Sequence, residues 1–251
     1  MRPAWQLVSI GLWILAANSS ADAASQVLAG VAVEHFALPA HVPLAGYSRR
    51  GGAPGVGTHD PVGVRALVLQ DADTTAALVS CDLLIVDERL FDAVRRRLVA
   101  SGLPPDLVLL LAATHTHSGP GAYGTTYLEK LSMGHFDPHV FHLIVEQITQ
   151  AIVRAYAARA PSRLAYGTAI TEGLVINRVD PAGLTNREVT ACVLTYEGGE
   201  VFAVVVGFAA HPTTLGAWNR QLSADYPGVL AREIERRHPG AVCLFFAGAV
   251  A

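Results

Sequence analysis

Two apolar runs that each end in histidine constrain this chain more than any other feature. The first is Leu107-Val-Leu-Leu-Leu-Ala-Ala-Thr-His115-Thr-His117-Ser-Gly-Pro-Gly121, and the second is Val201-Phe-Ala-Val-Val-Val-Gly-Phe-Ala-Ala210-His211-Pro-Thr-Thr214. Seven apolar residues followed by polar, ligand-type groups and a Gly/Pro turn read as a buried strand carrying His115 and His117 to a sheet edge. Open α/β sheets build their sites at such strand ends. In an extended segment, residues two apart point to one face, so both imidazoles can address one point in space. His211 repeats the pattern on a second, independent strand.

The rest of the chain alternates strand-like and helix-like segments. Strands are expected at Val27–Phe36, Val62–Gln70 and Thr75–Cys81, the last two forming a hairpin around Asp71-Ala-Asp73. A helix is expected from Asp87 to Ser101, ended by Gly102. Another runs from Pro138 to Ala158, with proline suited to the first turn and Val140, Ile144, Ile148 and Ile152 spaced by four. Arg163–Ile176 reads as extended, and Glu188–Tyr196 and Val201–Phe208 as a hairpin around Glu197-Gly-Gly-Glu200. A helix at Tyr226–His238 and a buried strand at Ala241–Phe246 follow. Pro39–His59 and Ser118–Asp137 read as long glycine-rich loops, of the kind that often carry function. The fold class implied is α/β, a mixed β-sheet flanked by helices, with a site at the strand carboxyl ends.

Composition narrows the function classes. The 251 residues are 51% hydrophobic, enough for a sizeable core, and the formal charge is −3 with no clustered basic face beyond Arg95-Arg-Arg97, so a nucleic-acid partner is not expected. Arg2, an apolar stretch over residues 5–17 and the Ala21-Asp-Ala23 site read as a secretory signal peptide, residues 1–23, cleaved after Ala23. About 13 apolar residues fall short of the roughly 20 of a spanning helix. Residues 24–251 then form an exported domain, secreted or periplasmic. Cys81, Cys192 and Cys243 lie inside apolar runs and read as free buried thiols. No Cys-x-x-Cys is present, which excludes a cysteine zinc knuckle.

Neutral imidazole nitrogen binds zinc readily, and catalytic zinc sites use about three protein ligands plus a water whose pKa falls toward about 7. A single strand-end histidine is more often structural, but three on two strand ends favour a metal site. Asp82 and Asp225 are candidates for ligands or for groups that hold the ligands. The alternatives are a strand-end cap for Asp82 and a helix N-cap for Asp225. Arg178, after the apolar run Gly173–Ile176, can orient a polar substrate group, or it can form a surface ion pair. Gly-x-Ser-x-Gly is absent, so a serine hydrolase is weakly supported.

In order along the chain, Gly46-Tyr47, Gly57-Thr-His59, Arg65-Ala66, Ser80-Cys-Asp82-Leu83, Ala113-Thr-His115-Thr-His117-Ser-Gly-Pro-Gly121, Ile176-Asn177-Arg178, His211-Pro-Thr213 and Ser223-Ala-Asp225 resemble the neutral/alkaline ceramidases, zinc amidases that cleave N-acylsphingosines. The resemblance runs from about Leu28 to Ala251. It implies that His115 and His211 bind zinc, and that His117 and Arg178 face the scissile amide or the water at the metal. It also implies a glutamate and a tyrosine ligand, and a serine-bearing Asn-x-Gly-Asp-x-Ser stretch, at positions past Ala251, so the chain is expected to be the amino-terminal part of a longer enzyme. Ser223-Ala-Asp-Tyr-Pro-Gly228 departs from the ceramidase pattern Ser-Gly-Asp-Asn-Lys-Gly, and the segment after Asn177-Arg178 is short. A non-sphingolipid amide or ester substrate, or a catalytically silent exported binding domain, therefore stand as rivals. A lipid amide or other small molecule is the expected partner, transient contact with a membrane surface is compatible with it, and the oligomeric state is not specified.

Overall fold

The computed structural model describes residues 27–250, so the signal-peptide reading at residues 1–23 lies outside the described residues. The strands and helices, in chain order, are β1 (Val27–His35), β2 (Gly57–Thr58), β3 (Gly63–Gln70), β4 (Thr75–Cys81), α1 (Glu88–Ala100), β5 (Val108–Ala113), α2 (Tyr127–Met133) and α3 (Pro138–Ala157). They continue with β6 (Ala160–Ile170), β7 (Glu188–Tyr196), β8 (Val201–Phe208), β9 (Gln221–Leu222), α4 (Asp225–Arg237) and β10 (Val242–Ala247). No described helix is long and apolar enough to cross a membrane.

Eight strands make one mixed sheet in the order β10-β8-β7-β6-β1-β3-β4-β5, and β2 pairs separately with β9. The order is palindromic in kind. β1, β3 and β4 pair antiparallel, and α1 then crosses over to β5, parallel to β4. β6, β7 and β8 repeat this, and α4 crosses over to β10, parallel to β8. The halves meet at the short antiparallel pairing of Val27–Ala29 with Ala160–Ser162. Past Ser162, β6 is paired only to β7, and residues 163–170 are exposed. No sequence repeat announces the duplication.

The mixed α/β class expected from the sequence is the one observed, but the reason the histidines meet is different from that of an open sheet. β5 and β8 run in opposite senses across six strand steps, so a flat sheet would send their carboxyl ends to opposite edges. Neighbouring strands twist by roughly 20–25°, so six steps accumulate about 120–150° and largely undo that opposition. The sheet also curls over itself. β10 touches β3, β4 and β5 across the interior, and the Ser80 hydroxyl donates to the Phe245 carbonyl at 2.6 Å.

Alternation along the strands explains why both sheet faces are apolar. On β3, Val64, Ala66 and Val68 face α3 and the loops, while Leu67 and Leu69 face the interior between the half-sheets. There they meet Ala29, Leu194, Phe202, Ala203 and Leu244. α3 lays Ile144, Ile148, Ala151 and Ile152 against the first half, with α1 packed beside it, and α4 covers β8 and β10. Asp87 caps α1 by accepting from Leu90 N at 2.7 Å, and Gly102 leaves the helix at φ 83°. The second long loop holds a helix that apolar periodicity alone did not suggest, because α2 is short and starts at a Thr126/Glu129 capping box. The strand expected over Arg163–Ile176 begins earlier, at Ala160, and ends at Ile170.

Gly30 sets the spacing between β1 and α3, because a Cβ there would lie 2.4 Å from the Ala155 carbonyl oxygen. Gly30→Ala is expected to push the end of α3 off the sheet and cost about 1–3 kcal/mol, as overpacked core positions do. The urea unfolding midpoint checks it, and an unchanged midpoint would show that the helix can shift freely.

Candidate metal centre

β5 ends at Ala113, and its last pairing partner is Cys81 of β4. His115 then adopts φ 65°, a left-handed conformation uncommon for a residue with a side chain. The two imidazoles therefore do not converge through β alternation, as an extended His115-Thr-His117 would require; a turn in the backbone aims them. Oriented this way, His115 Nδ1 lies 2.8 Å from the Leu84 carbonyl oxygen, which fixes Nδ1 as the protonated nitrogen and leaves Nε2 as an acceptor. The segment carrying Leu84 is held in turn by fully buried Tyr123, whose hydroxyl donates to Ile85 O at 3.0 Å and accepts from Ile85 N at 3.2 Å.

The cluster closes where the loop after β8 arrives. His211 Nε2 lies 2.8 Å from His117 Nε2, which lies 3.5 Å from His115 Nε2. Two nitrogens bound at 2.0–2.1 Å to a tetrahedral ion are about 3.3 Å apart, so the separations bracket what zinc requires. Among the described residues these three histidines are the group able to hold a metal ion. Their donor chemistry, all imidazole, suits zinc and other borderline ions.

Burial pushes the His117 pKa down to about 4, helped by the neighbouring His211, His115 and Arg50 and opposed by Asp225. The ring is thus neutral at pH 7. Its Nδ1 is buried with no hydrogen-bond partner among the described residues. The backbone around it is tied firmly, with His117 N donating to Pro212 O at 3.2 Å and Arg50 donating to His117 O at 2.6 Å. The Arg50 guanidinium also reaches Ala45 O at 2.8 Å and Gly216 O at 3.3 Å, joining three loops. Tyr47 stands edge-on to His117 with ring centroids 4.9 Å apart. Gly46 is required beside it, since φ is 111° and a Cβ would sit 2.6 Å from His117 Cα.

The other sequence candidates occupy different places. Arg178 lies on the exposed loop after β6, near enough to Tyr47 for its charge to lower the phenol's pKa against the stronger effect of burial. Asp225 is buried at φ 58° in the first turn of α4, and Ala224, not Asp225, occupies the N-cap position. Its carboxylate instead accepts from the Thr214 hydroxyl, Leu215 N and Tyr226 N, bracing the loop that follows His211. Asp82 lies under the other histidine loop, accepting from Gly63 N at 2.9 Å with Arg65 3.6 Å away. Spacing alone did not single out Arg50, Tyr123 or the buried Asp60–Ser223 pair. The glycine-rich loop Gly46–Gly52 was the one available signal for Arg50 and Tyr47.

A curled mixed α/β sheet with an imidazole cluster at its strand ends defines this protein's class, that of a candidate metal-centre protein. The neutral/alkaline non-lysosomal ceramidase family, N-terminal part, matches residues 37–243, and the chain belongs to that family. It is 30% identical over 207 residues to the neutral ceramidase of Pseudomonas aeruginosa, covering 75% of this chain and 31% of that protein. With the neutral ceramidase of Mycobacterium tuberculosis the identity is 29%, covering 74% and 32%. A solved structure of a ceramidase complexed with C2 superposes with a TM-score of 0.82 at 26% identity, over 90% of this chain and 38% of that one. The chain thus spans about a third of the length of the curated relatives it matches.

Burial raises the Asp82 carboxyl to about 6 from an ordinary value of 3.8, although Arg65 and the Gly63 amide pull the other way. A carboxyl whose pKa rises on folding holds a proton longer in the folded state, so its contribution to stability falls as pH rises from about 4 to about 6. Asp82→Asn is therefore expected to gain on the native chain across that window, by up to about 3 kcal/mol at 1.36 kcal/mol per unit. Urea midpoints at pH 4.5 and 7 test this, and a difference that does not change with pH would contradict it.

Proposed function

We propose that the chain carries the amino-terminal half of the active site of a zinc-dependent amidohydrolase that cleaves the N-acyl amide bond of ceramide to fatty acid and sphingosine. The observation that carries this reading is the convergence of His115, His117 and His211 on one point in a member of the ceramidase family. The relatives are neutral ceramidases, and amide hydrolysis is what an imidazole-held metal serves well. Zinc held there would polarise the amide carbonyl and lower the pKa of a water toward about 7.

His115 and His211 hold the metal in this reading. His115 has the ring-to-carbonyl bond that metal-ligating histidines use to fix their tautomer. His117 serves the substrate in this reading: its Nδ1 lacks such a bond, and its ring, kept neutral by burial, can exchange a hydrogen bond with the substrate. Arg178, exposed and close enough for its charge to be felt at Tyr47, orients the polar part of the substrate. Asp82 and Asp225 support the loops that present the ligands. Export by the leader at residues 1–23 places the enzyme outside the cytoplasm, where a lipid amide at a membrane surface is accessible.

His115→Ala and His211→Ala are each expected to drop bound zinc well below one ion per chain, while His117→Ala keeps it. Metal analysis of the purified complete protein after dialysis against trace zinc reads this directly. Retained zinc in the first two variants would sink the ligand assignment, and zinc lost from His117→Ala would move His117 into the ligand set. In the complete protein, hydrolysis of N-acylsphingosine compared with short N-acyl amino compounds separates ceramide from a smaller amide substrate.

A further inference from the structure

The histidines come from two loops with no covalent reason to stay in register, and one buried serine connects both. Ser223 N donates to Ser118 O at 2.9 Å, and Ser223 O accepts from the Thr116 hydroxyl at 2.9 Å. These two main-chain bonds grip the segment that carries His115 and His117. The Ser223 hydroxyl faces the other way, donating to Asp60 Oδ2 and accepting from Asp225 N at 2.9 Å. Asp60 also accepts from Ala224 N at 3.0 Å, which fixes the start of α4.

From Asp225 the connection continues to the second loop. Its carboxylate accepts from the Thr214 hydroxyl and from Leu215 N, three and four residues past His211. Asp225 holds φ 58°, a left-handed conformation that Asp tolerates through local hydrogen bonds such as the one its carboxylate accepts from Tyr226 N at 2.7 Å. The Ser223 hydroxyl on its amide and the Thr214 and Leu215 donors on its carboxylate keep it there. Ser223, Thr116, Ser118, Asp60 and Asp225 are all buried, so water does not replace a missing member cheaply.

We propose that Ser223 is a positioning residue for the metal centre, locking the His211 loop in register with the His115–His117 loop through Asp225 and Thr214. The proposal rests on the reading that these histidines hold a metal. Removing the Ser223 hydroxyl leaves both of its main-chain bonds intact, so the grip on the first loop survives. What is lost is the hold on Asp225, and with it the placement of His211.

Zinc affinity of the complete protein, measured by competition with a chromophoric chelator, tests this with Ser223→Ala, Thr214→Val and the double variant, beside the thermal midpoints of the metal-free proteins. Each single variant is expected to weaken zinc about tenfold or more, the range for groups that orient ligands. The double variant should be weakened little further, because both changes break one connection. Thr214 is exposed, so Thr214→Val carries the test if Ser223→Ala does not fold. Unchanged zinc affinity in the single variants, whatever their midpoints, overturns the proposal, as do losses that simply multiply. A complete native protein that binds no zinc overturns the metal reading and this proposal together. Native binding that is abolished by His115→Ala but unaffected by Ser223→Ala and Thr214→Val overturns this proposal alone.

Discussion

The site depends on one geometric requirement: the sheet must curl until strands that run in opposite senses bring their carboxyl ends together. β5 and β8 belong to different halves of a duplicated arrangement, each half three antiparallel strands, a crossover helix and a parallel edge strand. Strand twist supplies most of the rotation, and the apolar interior between the halves supplies the force that closes it. Leu67, Leu194, Phe202 and Leu244 are there because both faces of the sheet are covered. The Ser80–Phe245 bond satisfies a hydroxyl that would otherwise be buried alone where the halves meet.

Closure brings the loops near one another but does not orient them, and polar groups do that. The main-chain carbonyls of the loops have no sheet to pair with, so buried side chains satisfy them. Arg50 takes three carbonyls from three segments, Tyr123 takes both polar groups of Ile85, and Tyr226 donates its hydroxyl to Ala210 O beside His211. Each such bond fixes a loop position to within a fraction of an ångström. A metal ligand set needs that tolerance more than it needs any one contact.

How much of this was legible in the sequence divides along the range of the interactions. The strands and long helices are written in local periodicity, and Ile144, Ile148 and Ile152 or Val64, Ala66 and Val68 could be read without a structure. The three histidines were legible because each stands at the end of an apolar run. α2 was legible in principle, through Thr126 and Glu129, but its seven residues are too few for a periodic signal. Arg50 was not, since its carbonyl partners lie up to 166 residues away and carbonyls have no sequence signature. The turn at His115 was hidden for a related reason: its φ goes with a bond to the Leu84 carbonyl, a partner 31 residues away that no local pattern announces.

Left-handed backbone at His115 and at Asp225, two of the four non-glycine positions with positive φ among the described residues, sits on either side of the cluster. Such conformations cost of order 1–3 kcal/mol each and persist only where the surroundings determine them several times over. At His115 the determinants are the Leu84 bond and the pairing of Thr114 N to Cys81 O; at Asp225 they are Ser223, Thr214 and Leu215. Both turns stand in or beside the two loops whose histidines meet, and the bonds that hold them also set where the imidazoles point. The turns and the imidazole cluster are then two aspects of one arrangement: the same buried bonds that hold the left-handed backbone aim the rings at a shared point.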